Sequence, residues 1–401
     1  MYPSNALFPH EPHHISPSQH NAAALPGEAQ SQPVGNWQPL QRPDSLTVSS
    51  VEAGIGTTAK AVVGTQTPPL HRAVMSEDNR GVRIALNSAF DVHGKDDDDN
   101  TPLHLAAQKG DASLVALLLN KGAAVNALNS SEESALHLAV QANSTHSVAL
   151  LLDNGANVNA RDEGDCTPLH SAAKMGHTDV ARMLVNKGAN IQARTAEGAS
   201  CLHWATYSDN DSMARFLVEK GADINDKDRY DRSVLHWAVQ NGSEKVARFL
   251  LGQGVDVHSQ NSAKETPLHV AAQAKGDDSL VCLLLSQGGD PNRYDRGGLT
   301  PLHCASDCLG GHCPAIVRSL VDKGADPNCQ DSRGRTPLHG VICSLNTCSS
   351  SMRPDSRGAE ATVRFLLSKG ADPSYQEEYG RTPLQLAVSQ EAKSVARFLV
   401  D

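Results

Sequence analysis

Histidine is the residue type whose spacing most invites chemistry in this chain. Nine of the eighteen histidines hold the fourth place of a recurring tetrapeptide: His71, His104, His137, His170, His203, His236, His269, His303 and His339. An imidazole titrates near neutral pH and can serve as base, proton shuttle or metal ligand. A catalytic or metal site, however, gathers different residues at one place, whereas these histidines come one to a unit. A residue that returns in every unit does the same structural work each time. The expected work is hydrogen bonding to the backbone of neighbouring turns, which ties adjacent loops together. Gln385 takes the place in a tenth copy and keeps the hydrogen-bonding capacity without the titrating ring.

Cysteine offers the second candidate. Cys304, Cys308, His312 and Cys313 are spaced like metal ligands, but no Cys-x2-Cys pair with a matching second half accompanies them. Cys304 also holds the place that other copies give to Leu105, Leu138 or Val270, which reads as core. His10, His13, His14 and His20 are only a compositional hint of metal binding. The chain has no Gly-x4-Gly-Lys-Ser/Thr loop, no His-Glu-x2-His, no Asp-Phe-Gly and no nucleophile elbow. We therefore expect no catalytic residue, no cofactor, no metal and no small-molecule substrate.

The elements that carry these residues repeat. Thr-Pro-Leu-His or a near relative opens at Pro68, Thr101, Ser134, Thr167, Ser200, Ser233, Thr266, Thr300, Thr336 and Thr382, numbered here as repeats one to ten. The first seven openings fall 33 residues apart. In repeat two, Thr101 can cap a helix that starts at Pro102. Leu103, Leu105, Ala106 and Ala107 form its packing face, and Gly110 stops it. Leu114, Val115, Leu117, Leu118 and Leu119 recur at helical spacing and predict a second helix that ends at Gly122. Asn126 to Glu133 is a polar stretch leading to the next copy. Each unit can bury its apolar face only against its neighbours.

These residues resemble the ankyrin repeat over about residues 68–401, with the tenth copy incomplete. The resemblance implies an all-α, slightly curved solenoid in which each repeat is a helix-turn-helix plus a β-hairpin loop. Inner helices would line a concave face. It also implies a protein-binding role, with recognition left to residues that vary between copies. Two domains follow: a Pro/Ser/Gln/His-rich arm over 1–66 and the repeat array over 67–401. The arm is too poor in apolar residues to offset its ordering entropy and is expected to be disordered. A short docking motif around Trp37 or Leu46-Thr47-Val48 and a modification site at Ser16-Pro17 are possible within it.

Composition narrows the partners. A net charge of −10 over 401 residues opposes non-specific binding to nucleic acid or anionic membrane. No apolar run approaches a membrane span, and no secretory signal opens the chain. The nine cysteines suggest no disulfide framework, so an intracellular protein of nucleus or cytoplasm is expected. The disordered arm joined to a long array is similar to the ankyrin-only nuclear regulators, which implies a transcription co-regulator acting through a protein partner such as a transcription factor. The alternatives are a substrate-recruiting adaptor of a ubiquitin ligase, an enzyme inhibitor, or a membrane-skeleton linker.

The variable positions supply candidate contacts. Trp204 and Trp237 follow the repeat histidine in repeats five and six and are expected to pack in the inner-helix layer, with an edge available as an anchor. Gln108, Lys109, Lys174, Met175, Tyr207, Gln240 and Asn241 lie nearer the helix ends and are expected to be exposed, Tyr207 being the best single contact. The hairpin tips are acidic early, at Asp96–Asp99, Glu132, Glu133, Asp162, Glu163 and Asp165. They turn basic later, at Arg229, Arg232, Arg293, Arg296, Arg333 and Arg335, which predicts a ridge of graded charge. Insertions are expected between the paired helices at Gln273–Gly276, Asp307–Cys313 and Cys343–Arg357. The chain stops within the second helix of repeat ten, so either a shortened cap or a docked outer face is expected there.

Overall fold

The computed structural model describes residues 69–76, 91–273, 278–307, 314–345 and 356–400. The expected arm over 1–66, with its Trp37, Leu46–Val48, Ser16-Pro17 and histidine motifs, lies outside the described residues, as do Cys308, His312 and Cys313. The chain divides into two units, Met1–Val63 and Gly64–Asp401, and every described helix belongs to the second.

That second unit is a stack of helix pairs. The inner helices of repeats two to four are Pro102–Lys109, Ala135–Gln141 and Pro168–Met175, and their outer partners are Ala112–Asn120, Thr145–Asp153 and Thr178–Asn186. The same pairing continues to Pro383–Ser389 with Lys393–Phe398 in repeat ten. In repeats two to six and eight to ten a Ser or Thr in extended conformation turns into the inner helix, and Pro holds the first helical place in repeats one, two, four and seven to ten. The inner helices are buried by small and branched residues, such as Leu103, Ala106 and Ala107, which lets successive repeats approach closely. Leu118, Leu151, Leu184, Leu217 and Leu250 recur on the outer helices at no more than 1% exposure, so one apolar seam runs through the stack. No described helix is long and apolar enough to cross a membrane.

The hairpins are reduced to single bridges. Among the described residues the only β pairings are Leu128 with Ser134, Arg194 with Ser200 and Lys227 with Ser233. What joins the tips is a ladder from one repeat to the next. Ser130 donates its N–H to the Asp98 carbonyl, Glu163 to Ser131, Ala196 to Gly164, Arg229 to Glu197, Ser262 to Tyr230 and Arg296 to Ala263, all at 2.8–3.1 Å. Each tip needs one left-handed residue, supplied by Asp99, Glu132, Asp165, Gly198, Asp231, Lys264, Gly298, Gly334 and Gly380. At Gly298 the choice is forced twice, because φ is 74° and a Cβ would come within 2.7 Å of the Ser332 nitrogen.

The insertions are narrower than expected. Gln273 is the last residue of the helix Pro267–Gln273. Cys343 ends Pro337–Cys343, and the next outer helix already runs over Ser356–Ser368, so residues 343, 356 and 357 are helical rather than looped. Residues 274–277, 308–313 and 346–355 lie outside the description.

Candidate partner-binding site on the inner helices

The histidines are knots in the scaffold. In repeats two to nine Nδ1 accepts the backbone N–H of the Ser or Thr three residues earlier, at 3.1–3.2 Å. That bond leaves the proton on Nε2, which donates to a backbone carbonyl at the edge of the following repeat. His104 reaches Glu133, His137 reaches Cys166, His203 reaches Arg232 and His236 reaches Glu265, at 3.0–3.2 Å. His71 makes the same inter-repeat bond to Asn100 at 2.8 Å. In repeats two to nine the ring is thus the neutral tautomer, held through Nδ1 within its own repeat and, except at His170, whose buried Nε2 has no partner, through Nε2 across the repeat junction. Burial holds the pKa of the rings in repeats two to nine below the ordinary 6.5, to about 4 for His170 and His236. Such a ring is a poor base at neutral pH and offers no lone pair to a metal.

Thiol chemistry is suppressed in the same way. Cys304 is 5% exposed, and burial pushes its thiol up, as it does that of Cys201. Cys329 is raised to about 11 by burial, although a hydrogen bond with Thr300 opposes the rise. Among the described residues no group of three or more His, Cys, Asp or Glu could hold a metal ion.

Repeat five departs from the pattern. Its inner helix is α-helical only over Cys201–Trp204 and tightens into a 3-10 turn over Ala205–Ser208. Asp209, at φ 45°, takes the left-handed place that Gly110 and Gly176 hold in repeats two and four. Its carboxylate then caps the outer helix of repeat six, accepting from the Lys245 and Val246 amides at 2.9 and 3.3 Å. The buried Thr206 hydroxyl donates to the His203 carbonyl at 2.7 Å and accepts from the Asn241 amide at 2.8 Å. The irregular turn is therefore fixed by side chains from its own and the following repeat.

Around this turn three aromatic rings meet. Trp204, Tyr207 and Trp237 have centroids 5.6, 5.9 and 6.4 Å apart. The Lys174 ammonium lies 5.1 Å from the Trp204 ring and 5.7 Å from Tyr207, a cation–π pairing. Beneath them Arg232 stacks on Trp237 at 4.9 Å, and its Nε donates to Asp228 at 2.6 Å. Trp237 Nε1 donates to the same Asp228 oxygen at 2.9 Å, while the other oxygen accepts from the Tyr230 and Arg232 amides.

The predicted contacts divide accordingly. Tyr207, 39% exposed, and Met175, 50% exposed, are open at the ends of their helices, as are Gln108 and Lys109 in repeat two. Lys174, Gln240 and Asn241 were expected to be exposed but are half-buried, held by ring stacking, by the helix end and by Thr206. Trp204 is half-buried. Trp237 is buried with its N–H satisfied, so it backs the Trp204–Tyr207 pair instead of offering an edge.

The basic end of the tip ridge is also reduced. Arg229, Arg293 and Arg296 are exposed on their turns, but Arg232 is 6% exposed and paired with Asp228, and Arg335 is half-buried against Asp331 at 2.8 Å. Asp-x3-Arg spans a turn whose first and last residues bridge, so it closes into an internal ion pair. That spacing is visible in the sequence and would have marked Asp228, which the sequence reading leaves out along with Glu197 and a second ladder along the same inter-repeat loops. In that ladder the amides of Asn126, Asn159, Asn292 and Asn328 donate to the carbonyls of Gly155, Gly188, Gly324 and Gly370 at 2.8–3.2 Å.

A family model for ankyrin repeats, built on three copies, matches residues 70–162, 162–228, 235–331 and 308–401. No curated protein matches the chain closely enough to count as a relative. Ankyrin repeats form scaffolds for protein–protein interaction and are in general not enzymes. With nearly all of residues 70–401 matched, the chain belongs to the ankyrin-repeat family.

Proposed function

We propose that this protein is a transcription co-regulator that holds a protein partner, such as a transcription factor, on the inner-helix face of repeats four to six. The observation that carries the site is exposed Tyr207 stacked on Trp204 beside Lys174 and Met175, at the one inner helix that gives up regular geometry. Large amphipathic side chains on a fixed backbone are what binding hot spots are made of. Gln108, Lys109, Gln240 and Asn241 extend this face along the stack, and Arg229 and Arg293 flank it at the tips. The co-regulator role rests on the pairing of a long repeat array with a Pro/Ser/Gln/His-rich arm over 1–66, and such a protein works in the nucleus or shuttles to it from the cytoplasm.

Affinity purification with mass spectrometry tests both parts, comparing the natural chain with a Tyr207→Ala, Lys174→Ala, Met175→Ala variant whose helicity is checked by circular dichroism. Transcription factors or chromatin proteins should co-purify with the natural chain and be lost from the variant. Recovery of cullin-type or cytoskeletal proteins instead would replace the co-regulator role. Retention of every partner by a folded variant would move recognition to the tips or the arm.

A further inference from the structure

The two tryptophans occupy equivalent places one repeat apart, yet only one has a carboxylate. Trp237 Nε1 donates to Asp228 of its own hairpin. The residue equivalent to Asp228 in repeat five is Thr195, whose hydroxyl accepts from the Ala199 amide at 3.3 Å. Trp204 Nε1 is consequently buried without a hydrogen-bond partner. A second donor in the same cluster is equally unspent. Arg232 is 6% exposed, uses Nε on Asp228 and leaves Nη2 without a hydrogen bond, the Glu197 carboxylate standing off at 3.8 Å. An unmade hydrogen bond on a buried donor is costly, and more so when the donor is charged. Lys174 adds a cation over the Trp204 ring, with only π faces as its partners there.

We propose that this aromatic cluster receives an aspartate or glutamate side chain of the protein partner, with its carboxylate accepting from Trp204 Nε1 and pairing with Lys174 and Arg232 while Tyr207 covers its methylenes. The incoming carboxylate does for Trp204 what Asp228 does for Trp237. Glu197 is the internal competitor, since its carboxylate already forms a long ion pair with Arg232, at 3.8 Å. The net charge of −10 repels an acidic segment elsewhere on the surface, whereas here the Lys174 ammonium, whose partners are π faces, offers it a cation beside two buried donors. The inference rests on the reading that a partner docks on this face.

The test uses the full chain labelled with 15N at its three tryptophans, Trp37, Trp204 and Trp237, whose indole resonances are few enough to follow singly. Trp204→Phe assigns the signal. The probes are the blocked peptide acetyl-Leu-Glu-Asp-Leu-Phe-amide and its counterpart with Gln and Asn. The Trp204 indole proton should move downfield and saturate with the acidic peptide, which should bind about tenfold more tightly than the neutral one. Lys174→Met should weaken the acidic peptide about tenfold, and Glu197→Gln should tighten it several-fold by removing the competitor, roughly the range of a charge-assisted contact. A gain of affinity on losing Glu197 is not something a folding defect can mimic. Equal binding of the two peptides, unaltered affinity in Glu197→Gln, or a Trp204 signal moved by neither peptide would each overturn the proposal. The co-purification comparison decides separately whether this face binds protein at all.

Discussion

In repeat two the inner helix runs its full length from Pro102 to Lys109 and ends on left-handed Gly110, whereas in repeat five the α-helix lasts from Cys201 to Trp204 and gives way to a 3-10 turn and Asp209. Their openings are alike: Thr101 with His104 and Ser200 with His203 make the same pair of bonds between hydroxyl, amide and Nδ1. The two ends of one helix thus answer to different demands. The opening must meet the next repeat's backbone through Nε2, so its chemistry is fixed. The far end meets its neighbours through bonds that differ from repeat to repeat, such as Ser144 to the Gly110 carbonyl and the Lys245 amide to Asp209, and there one chain places Gln108, Gln141, Lys174, Tyr207, Gln240 and Gln273 at one and the same register. In repeats three and seven that glutamine turns back to Glu133 or Glu265 of its own hairpin, at 2.7 and 3.1 Å. In repeat five the hairpin offers Ala199 instead, and Tyr207 is released to face outward.

Acidification attacks every opening together and should give the largest effect. The rings of repeats two to nine are held neutral by burial, with pKa lowered in the fold. The unfolded chain binds protons first, so stability is full above pH 6.5 and falls as pH drops toward the folded values. For His170 and His236, at about 4, the loss by pH 4 is about 3 kcal/mol each. Urea midpoints measured between pH 7 and 4 should fall steeply below 6.5. A flat profile over that range would mean that the rings are not held neutral.

Breaking a single opening should cost less and depend on position. His203→Ala removes the bonds to Ser200 and the Arg232 carbonyl from a fully buried site, a loss of about 3 kcal/mol. Gln385→Ala in repeat ten removes only an exposed acceptor for the Thr382 amide, 2.9 Å away, so about 1 kcal/mol or less is expected. Comparable urea midpoints for the two variants would show that the inter-repeat bond carries little of the stability.

This asymmetry also explains what the sequence could disclose. The helix pairs, their caps at Thr101 or Ser134 and the buried histidines are legible because the same physical demand recurs at a fixed interval. The 3-10 turn of repeat five is not legible in that way. A non-glycine at the left-handed place does not announce it, since repeats three and ten carry Asn143 and Glu391 there and keep α-helices; what sets repeat five apart is Thr206, bonded to the His203 carbonyl and to Asn241 of the next repeat. Tyr207 and Met175 could be picked out by their place near the helix end, but the burial of Arg232 under Trp237 needs the closed Asp228–Arg232 turn, a contact made by geometry and not by pattern. A ridge of tip charges read along the sequence counts such arginines as free when the fold has already neutralised them.

The smallest expected effect on stability is also the sharpest on recognition. Tyr207→Gln restores to repeat five the residue that this chain uses at the same register in repeats two, three, six and seven. Tyr207 is 39% exposed and its hydroxyl makes no recorded bond, so what is lost is ring packing on Trp204 and Trp237, about 1 kcal/mol or less. The thermal unfolding midpoint should therefore move by only a few degrees. Partner retention should drop about tenfold all the same, because an anchor ring contributes far more to binding than to folding. The reciprocal variant, Gln141→Tyr in repeat three, should gain nothing, since Leu138 stands there where Trp204 stands in repeat five and no second tryptophan backs it. Should Tyr207→Gln bind as the natural chain does, the far ends of these helices would be spacers like the rest, and the difference between repeats two and five would be one of geometry alone.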